Sequence, residues 1–133
     1  MSNSQFQIAG KSVFVDIDAT TKFYSSQNHI SEDCPCDDCN HYLNYFIKRP
    51  FEILTILSKM GIDLEKNLNS EPTGVWCHVG EDNQLGHCSQ TFEVIGSINS
   101  SFTYQYSEFG YDIKVVFEKI DKGKIYIGLN FQK

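Results

Sequence analysis

Between Tyr111 and Phe131 the chain alternates apolar and polar residues twice over: Tyr111, Ile113, Val115 and Phe117, then Asp121-Lys122-Gly123, then Ile125, Ile127, Leu129 and Phe131. Successive side chains of a strand point to opposite faces. This pattern therefore predicts two antiparallel strands joined by a turn, with one face buried. The same two-residue period runs through Val75, Cys77 and Val79, through Phe92, Val94 and Ile98, and through Phe102, Tyr104 and Tyr106. Together these runs predict an antiparallel meander in the C-terminal half. Near the N-terminus, Phe6 and Ile8, then Ala9-Gly10-Lys11, then Val13, Val15 and Ile17 predict a hairpin turning at Gly10.

Residues 18 to 33 are polar and read as a loop or short irregular helix. From Pro35 the period becomes helical, with Cys36, Cys39, Tyr42, Leu43, Phe46 and Ile47 on one face and Asp37 and Asp38 near the positive end of the dipole. A second helix is expected from Pro50 to Met60, with Phe51, Ile53, Leu54, Leu57 and Met60 on its apolar side. Gly61 stands where a left-handed cap would form, folding Ile62 back on Leu57. A sheet with one apolar face needs cover, and these two helices between about residues 35 and 61 supply it. The expected architecture is an α+β fold: an antiparallel β-meander with two amphipathic helices packed on one face and an N-terminal β-hairpin. At 133 residues it is expected to be a single α+β domain spanning 1–133.

An apolar fraction of 41%, with ten Phe and seven Tyr, belongs to a globular chain rather than a disordered one. A formal charge of −6 without a basic run disfavours nucleic acid and is compatible with a basic protein partner. Met1-Ser2-Asn3-Ser4-Gln5 lacks the features of a signal peptide, and no apolar run approaches a membrane span. The expected location is cytoplasmic, where five cysteines would stay reduced.

Three of those cysteines, Cys34, Cys36 and Cys39, fall within six residues. Thiolates this close can share a zinc ion, with Cys88 the fourth ligand and His41, Cys77, His78 and His87 the other candidates. Against a metal, Cys36 and Cys39 lie on the same helical stripe as Leu43 and Phe46, where cysteine acts as a small buried hydrophobe. Asp33, Asp37 and Asp38 would also raise the thiol pKa values. No cofactor is the expectation; zinc at Cys34, Cys36, Cys39 and Cys88 is the alternative.

Val13-Phe14-Val15-Asp16-Ile17-Asp18-Ala19-Thr20 resembles the first motif of the haloacid dehalogenase-like phosphatases. That resemblance would make Asp16 a nucleophile and Asp18 its acid/base. A later acidic magnesium motif and the strand–helix alternation of a parallel sheet are both missing, so a strand ending in solvated aspartates is the preferred reading. Cys77 and His78 are neighbours on a predicted strand and face opposite ways, which separates that thiol from that base.

The segment Cys34-x-Cys36-x-x-Cys39-Asn40-x-Tyr42, followed by Pro50-Phe51-Glu52-Ile53-Leu54 and Gly61-Ile62-Asp63-Leu64-Glu65-Lys66, resembles an uncharacterised family of small bacterial proteins with a C-x-C-x-x-C opening and a G-I-D-x-x-K stretch. The resemblance spans about residues 30 to 66. It implies a bacterial, cytosolic, single-domain protein and transfers no activity. Trp76-Cys77-His78-Val79-Gly80 and His87-Cys88 depart from its pattern. The expected function is a small acidic, non-catalytic protein-binding module, in its most concrete form an immunity-type inhibitor of a basic toxin. The alternatives are an enzyme, phosphatase-like through Asp16 and Asp18 or thiol-dependent through the Cys34 to Cys39 cluster, and a zinc-stabilised structural domain.

Overall fold

The structure is a computed structural model. It describes residues 3–29, 32, 43, 47–66, 76–79, 85–121 and 123–132. Its strands are β1 (Asn3–Ile8), β2 (Lys11–Asp16), β3 (Trp76–Val79), β4 (Leu85–Ile98), β5 (Phe102–Glu108), β6 (Tyr111–Asp121) and β7 (Lys124–Gln132). Helix α1 spans Ile17–Ser25 and helix α2 spans Glu52–Lys59.

All pairings are antiparallel, in the order β1-β2-β4-β7-β6-β5, with β3 attached to β4. The long β4 runs through the whole arrangement. It pairs with β7 from His87 to Ile95, with β3 at its first residues and with β2 at Gly96 to Ile98. The apolar phase of the alternation is buried: Phe92 and Val94 on β4, Tyr111, Ile113, Val115 and Phe117 on β6, and Ile125, Ile127, Leu129 and Phe131 on β7. Onto this face pack Ile53, Leu54 and Leu57 of α2, and Phe51 just before it, whose ring meets Phe131 at 5.0 Å and Tyr111 at 5.7 Å.

This arrangement overturns the expected α+β fold of a β-meander with two amphipathic helices packed on one face. Antiparallel sheet dominates the described residues, and the two helices are short, at nine and eight residues. The helix expected from Pro35 lies almost wholly outside the described residues. The strand order also departs from a meander. β5, β6 and β7 follow one another as hairpins, but β4 lies beside β7 rather than β5. The last residues of β4 and the link to β5 pass the tip of the β6–β7 hairpin: Gly96 N–H of β4 donates to the Gly123 carbonyl at 2.8 Å, and Lys119 N–H donates to Ser101 Oγ of the link at 3.0 Å.

Helix α1 begins where a loop or irregular helix was expected. The alternation Val13, Val15, Ile17 stops at Asp16, whose carboxylate accepts from Ala19 N–H at 3.0 Å and caps the helix. Its buried residues are Thr20 and Tyr24 rather than aliphatics. They work through hydrogen bonds. Thr20 Oγ1 accepts from Ile95 N–H at 3.0 Å, while Tyr24 Oη accepts from Glu93 N–H at 3.0 Å and donates to the Glu93 carbonyl at 2.8 Å. Those three bonds satisfy the backbone edge of β4 between the stretches paired with β3 and β2, so α1 stands in for a strand.

Helix α2 ends as the sequence predicts. Gly61 adopts φ +96°, Gly61 N–H donates to the Ser58 carbonyl at 3.1 Å and Ile62 N–H to the Leu57 carbonyl at 3.3 Å, a Schellman cap. Its other end is capped from outside the helix, because Phe51 at the cap position has no polar side chain. Glu52 N–H donates to Glu108 Oε1 at 2.9 Å, and Ile53 N–H to Tyr106 Oη at 3.1 Å. The Tyr106 hydroxyl in turn donates to Glu108 Oε1 at 3.2 Å. The carboxylate thus sits at the positive end of the helix dipole. Glu108→Ala is expected to lower the stability by about 1 kcal/mol, the usual cost of a lost cap. A shift in the urea midpoint with unchanged slope would register it; an unchanged midpoint would show that water replaces the carboxylate.

Candidate functional site

The outward phase of the same strands forms the candidate site. Antiparallel register aligns these positions into rows across the sheet: Ser107 of β5 with Asp112 of β6 and Gln132 of β7, then Gln105 with Lys114, Asn130 and Ser89, then Thr103 with Val116, Gly128 and Thr91. On β5 and β6 the polar members of these rows are exposed. They line an open depression of about 580 Å³, bounded by Gln105, Ser107, Asp112, Lys114, Asn130 and Gln132. A volume of this order suits a ligand side chain or a short chain segment.

Two hydrogen bonds organise it. Ser107 Oγ donates to Asp112 Oδ1 at 2.9 Å, and Asn130 Nδ2 donates to Ser89 Oγ at 3.2 Å. Amides, hydroxyls, one ammonium and one carboxylate give a surface that both donates and accepts. Beside it, burial pushes the Tyr106 hydroxyl well above its ordinary value. The Ile53 N–H opposes that shift, and the Glu108 and Glu52 carboxylates add to it. Tyr106 therefore stays a neutral hydroxyl through the physiological range and holds the α2 terminus beside the depression.

Of the residues singled out from the sequence, His87 continues the first row at the backbone level, in register with Gln132. Cys34, Cys36 and Cys39 fall outside the described residues. Cys88 lies on β4, with its backbone in register with Cys77 of β3, and His87 likewise stands opposite His78. Among the described residues, no three His, Cys, Asp or Glu side chains are arranged to hold a metal ion. Asp16 is the N-cap of α1, and Asp18 belongs to its first turn. As a cap, Asp16 holds its carboxylate on the Ala19 N–H.

No sequence motif marks Gln105, Lys114, Asn130 or Gln132. Each occupies the polar phase of a strand whose apolar phase is conspicuous, which is the one signal available before the register is known.

Among the described residues, no helix is long and apolar enough to cross a membrane. Comparison of the chain with protein-family models, with curated proteins and with solved structures finds no match.

Proposed function

We propose that this protein is a non-catalytic binding module that receives a basic protein partner on the polar face of its sheet. The observation that carries this reading is the pair of cross-strand rows, Ser107-Asp112-Gln132 and Gln105-Lys114-Asn130-Ser89, which hold donors and acceptors in fixed positions on rigid strands. Such a surface fits the alternating polar groups of a polypeptide. The net charge of −6 adds long-range attraction for a basic partner and speeds encounter. An immunity-type inhibitor of a basic toxin is the concrete form of this function.

The test uses partners captured on the immobilised protein at low ionic strength and then measured singly by surface plasmon resonance. Association is expected to slow steeply as salt rises, with dissociation changing less. Asn130→Arg, which sets a bulky cation in the middle row, is expected to weaken binding on the order of tenfold. Lys59→Ala, on the exposed side of α2, should leave it unchanged. An association rate indifferent to salt, or full affinity in Asn130→Arg, would remove the basis of this function.

A further inference from the structure

The outer strand β5 ends the sheet, and among the described residues no strand pairs with its far edge. Its hairpin to β6 turns through Phe109 at φ +53° and Gly110 at φ +81°, two consecutive left-handed residues, as in a two-residue type I′ turn. In such a turn the flanking residues, Glu108 and Tyr111, form the hydrogen-bonded closing pair. Alternation along the ladder then makes Tyr106 with Ile113, Tyr104 with Val115 and Phe102 with Phe117 the other bonded pairs. The N–H and C=O groups of Thr103, Gln105 and Ser107 consequently point away from β6, and they make no backbone hydrogen bond to a described residue beyond the ladder.

Sheets guard such edges with Lys, Pro, bulges or covering segments. From Phe102 to Ser107 the strand has no charge and no Pro, and its pairing with β6 is continuous. Glu108 is the one charge on the strand, and it is engaged at the N-terminus of α2. On the inner side, the Tyr104 and Tyr106 rings stack at 5.0 Å.

We infer that this edge pairs with the same edge of a second copy of the chain. A two-fold axis at Gln105 is the antiparallel register that uses all three outward residues of both strands. It sets Gln105 opposite Gln105 of the second copy, Thr103 opposite Ser107, and Tyr104 opposite Tyr106. Amide meets amide, hydroxyl meets hydroxyl, ring meets ring, and no like charges are opposed. This self-complementarity selects a second copy over a foreign strand.

Of the other outer strands among the described residues, β3 is only four residues long, and β1, which also lacks charge, belongs to a ribbon held to the sheet by three register pairs between β2 and β4. It also has no stacked tyrosine pair along its length. Pairing at β5 makes one continuous sheet and brings Gln105 and Thr103 of the second chain beside Gln105 and Ser107, which line the polar depression. Each depression is thereby completed by its neighbour. The pairing itself rests on the strand edge and is read by oligomeric state alone, so it stands or falls independently of the partner proposed for the outward face.

Sedimentation equilibrium on the full chain tests it. The protein is expected to dimerise at submillimolar concentration. Gln105→Lys places two ammonium groups face to face, and Gln105→Glu places two carboxylates there. Each is expected to raise the dissociation constant on the order of tenfold or more, and an equimolar mixture of the two should recover a dimer. Gln105→Pro removes an outward N–H and no ladder bond, so it should also yield a folded monomer by circular dichroism. Gln5→Lys, on β1, should dimerise normally. A monomeric wild type, a dimer indifferent to Gln105→Lys, a mixture that fails to reassociate, or dissociation by Gln5→Lys instead would each overturn the pairing.

Discussion

Gly96→Ala is expected to destabilise the protein by about 3 kcal/mol or more, at the upper end of what a single added methyl does in a packed interior. Gly96 sits where β2 meets β4, in register with Val15, and a Cβ built there would collide with the Phe14 carbonyl oxygen and come within 3.0 Å of Val15 Cα. These obstacles are backbone atoms of the paired strand, so no side-chain rotation relieves them. Moving them means parting β2 from β4, which frees the β1–β2 hairpin and uncovers Val13 and Val15, both fully buried. Gly128→Ala is the matched control. At Gly128 the nearest neighbours of a new Cβ are the side chains of Tyr126 at 3.7 Å and Val116 at 4.0 Å, ordinary contacts, and the expected change is within about 0.5 kcal/mol. Urea unfolding of both variants measures the difference. Equal stabilities would mean the β2–β4 seam yields without cost.

The alternation from Tyr111 to Phe131 reveals its two strands because one face of them is aliphatic and aromatic throughout, and burial of that face leaves the period in the residues themselves. The Gly61 cap is legible for a similar reason: a left-handed residue closes α2, and glycine is the residue that takes that conformation freely. Helix α1 leaves no such trace. Its inward residues are Thr20 and Tyr24, and what anchors them is hydrogen bonding to a strand some seventy residues away, which no local pattern records. The neighbour relation of β4 and β7 is equally invisible, since alternation specifies the face a side chain takes and not the strand beside it. The polar depression follows from that same gap. Gln105, Lys114 and Asn130 look like solvated positions on three separate strands until register lines them up.

Tyr24→Phe is expected to cost about 3 kcal/mol, although it removes a single oxygen. That oxygen serves both backbone groups of Glu93, accepting from the N–H at 3.0 Å and donating to the carbonyl at 2.8 Å, and Tyr24 itself is almost wholly buried. Phenylalanine fills the same space and leaves a donor and an acceptor on β4 facing its ring. Losing both partners together is dearer than losing one hydrogen bond between exposed groups. Thr20→Val, which orphans only the Ile95 N–H, should cost about half as much. The two changes should not add, because the hydroxyls hold one edge in place and releasing either lets α1 lift.

The same tyrosine makes stability fall in alkali. Burial raises its pKa well above the ordinary 10.0. The Glu93 N–H works against that shift, while the Glu93 and Asp63 charges reinforce it. A phenol whose pKa is higher folded than unfolded stabilises the fold fully below pH 10. Above that, the unfolded chain releases a proton that the folded chain retains, so the stability drains away as pH rises toward the folded value. Tyr106, shifted the same way, adds a second such slope. Urea midpoints measured from pH 9 to 11 should therefore drop in the wild type and drop less steeply in Tyr24→Phe. A parallel decline in the two proteins would show that Tyr24 ionises as freely folded as unfolded, and that its hydroxyl does not hold the edge of β4.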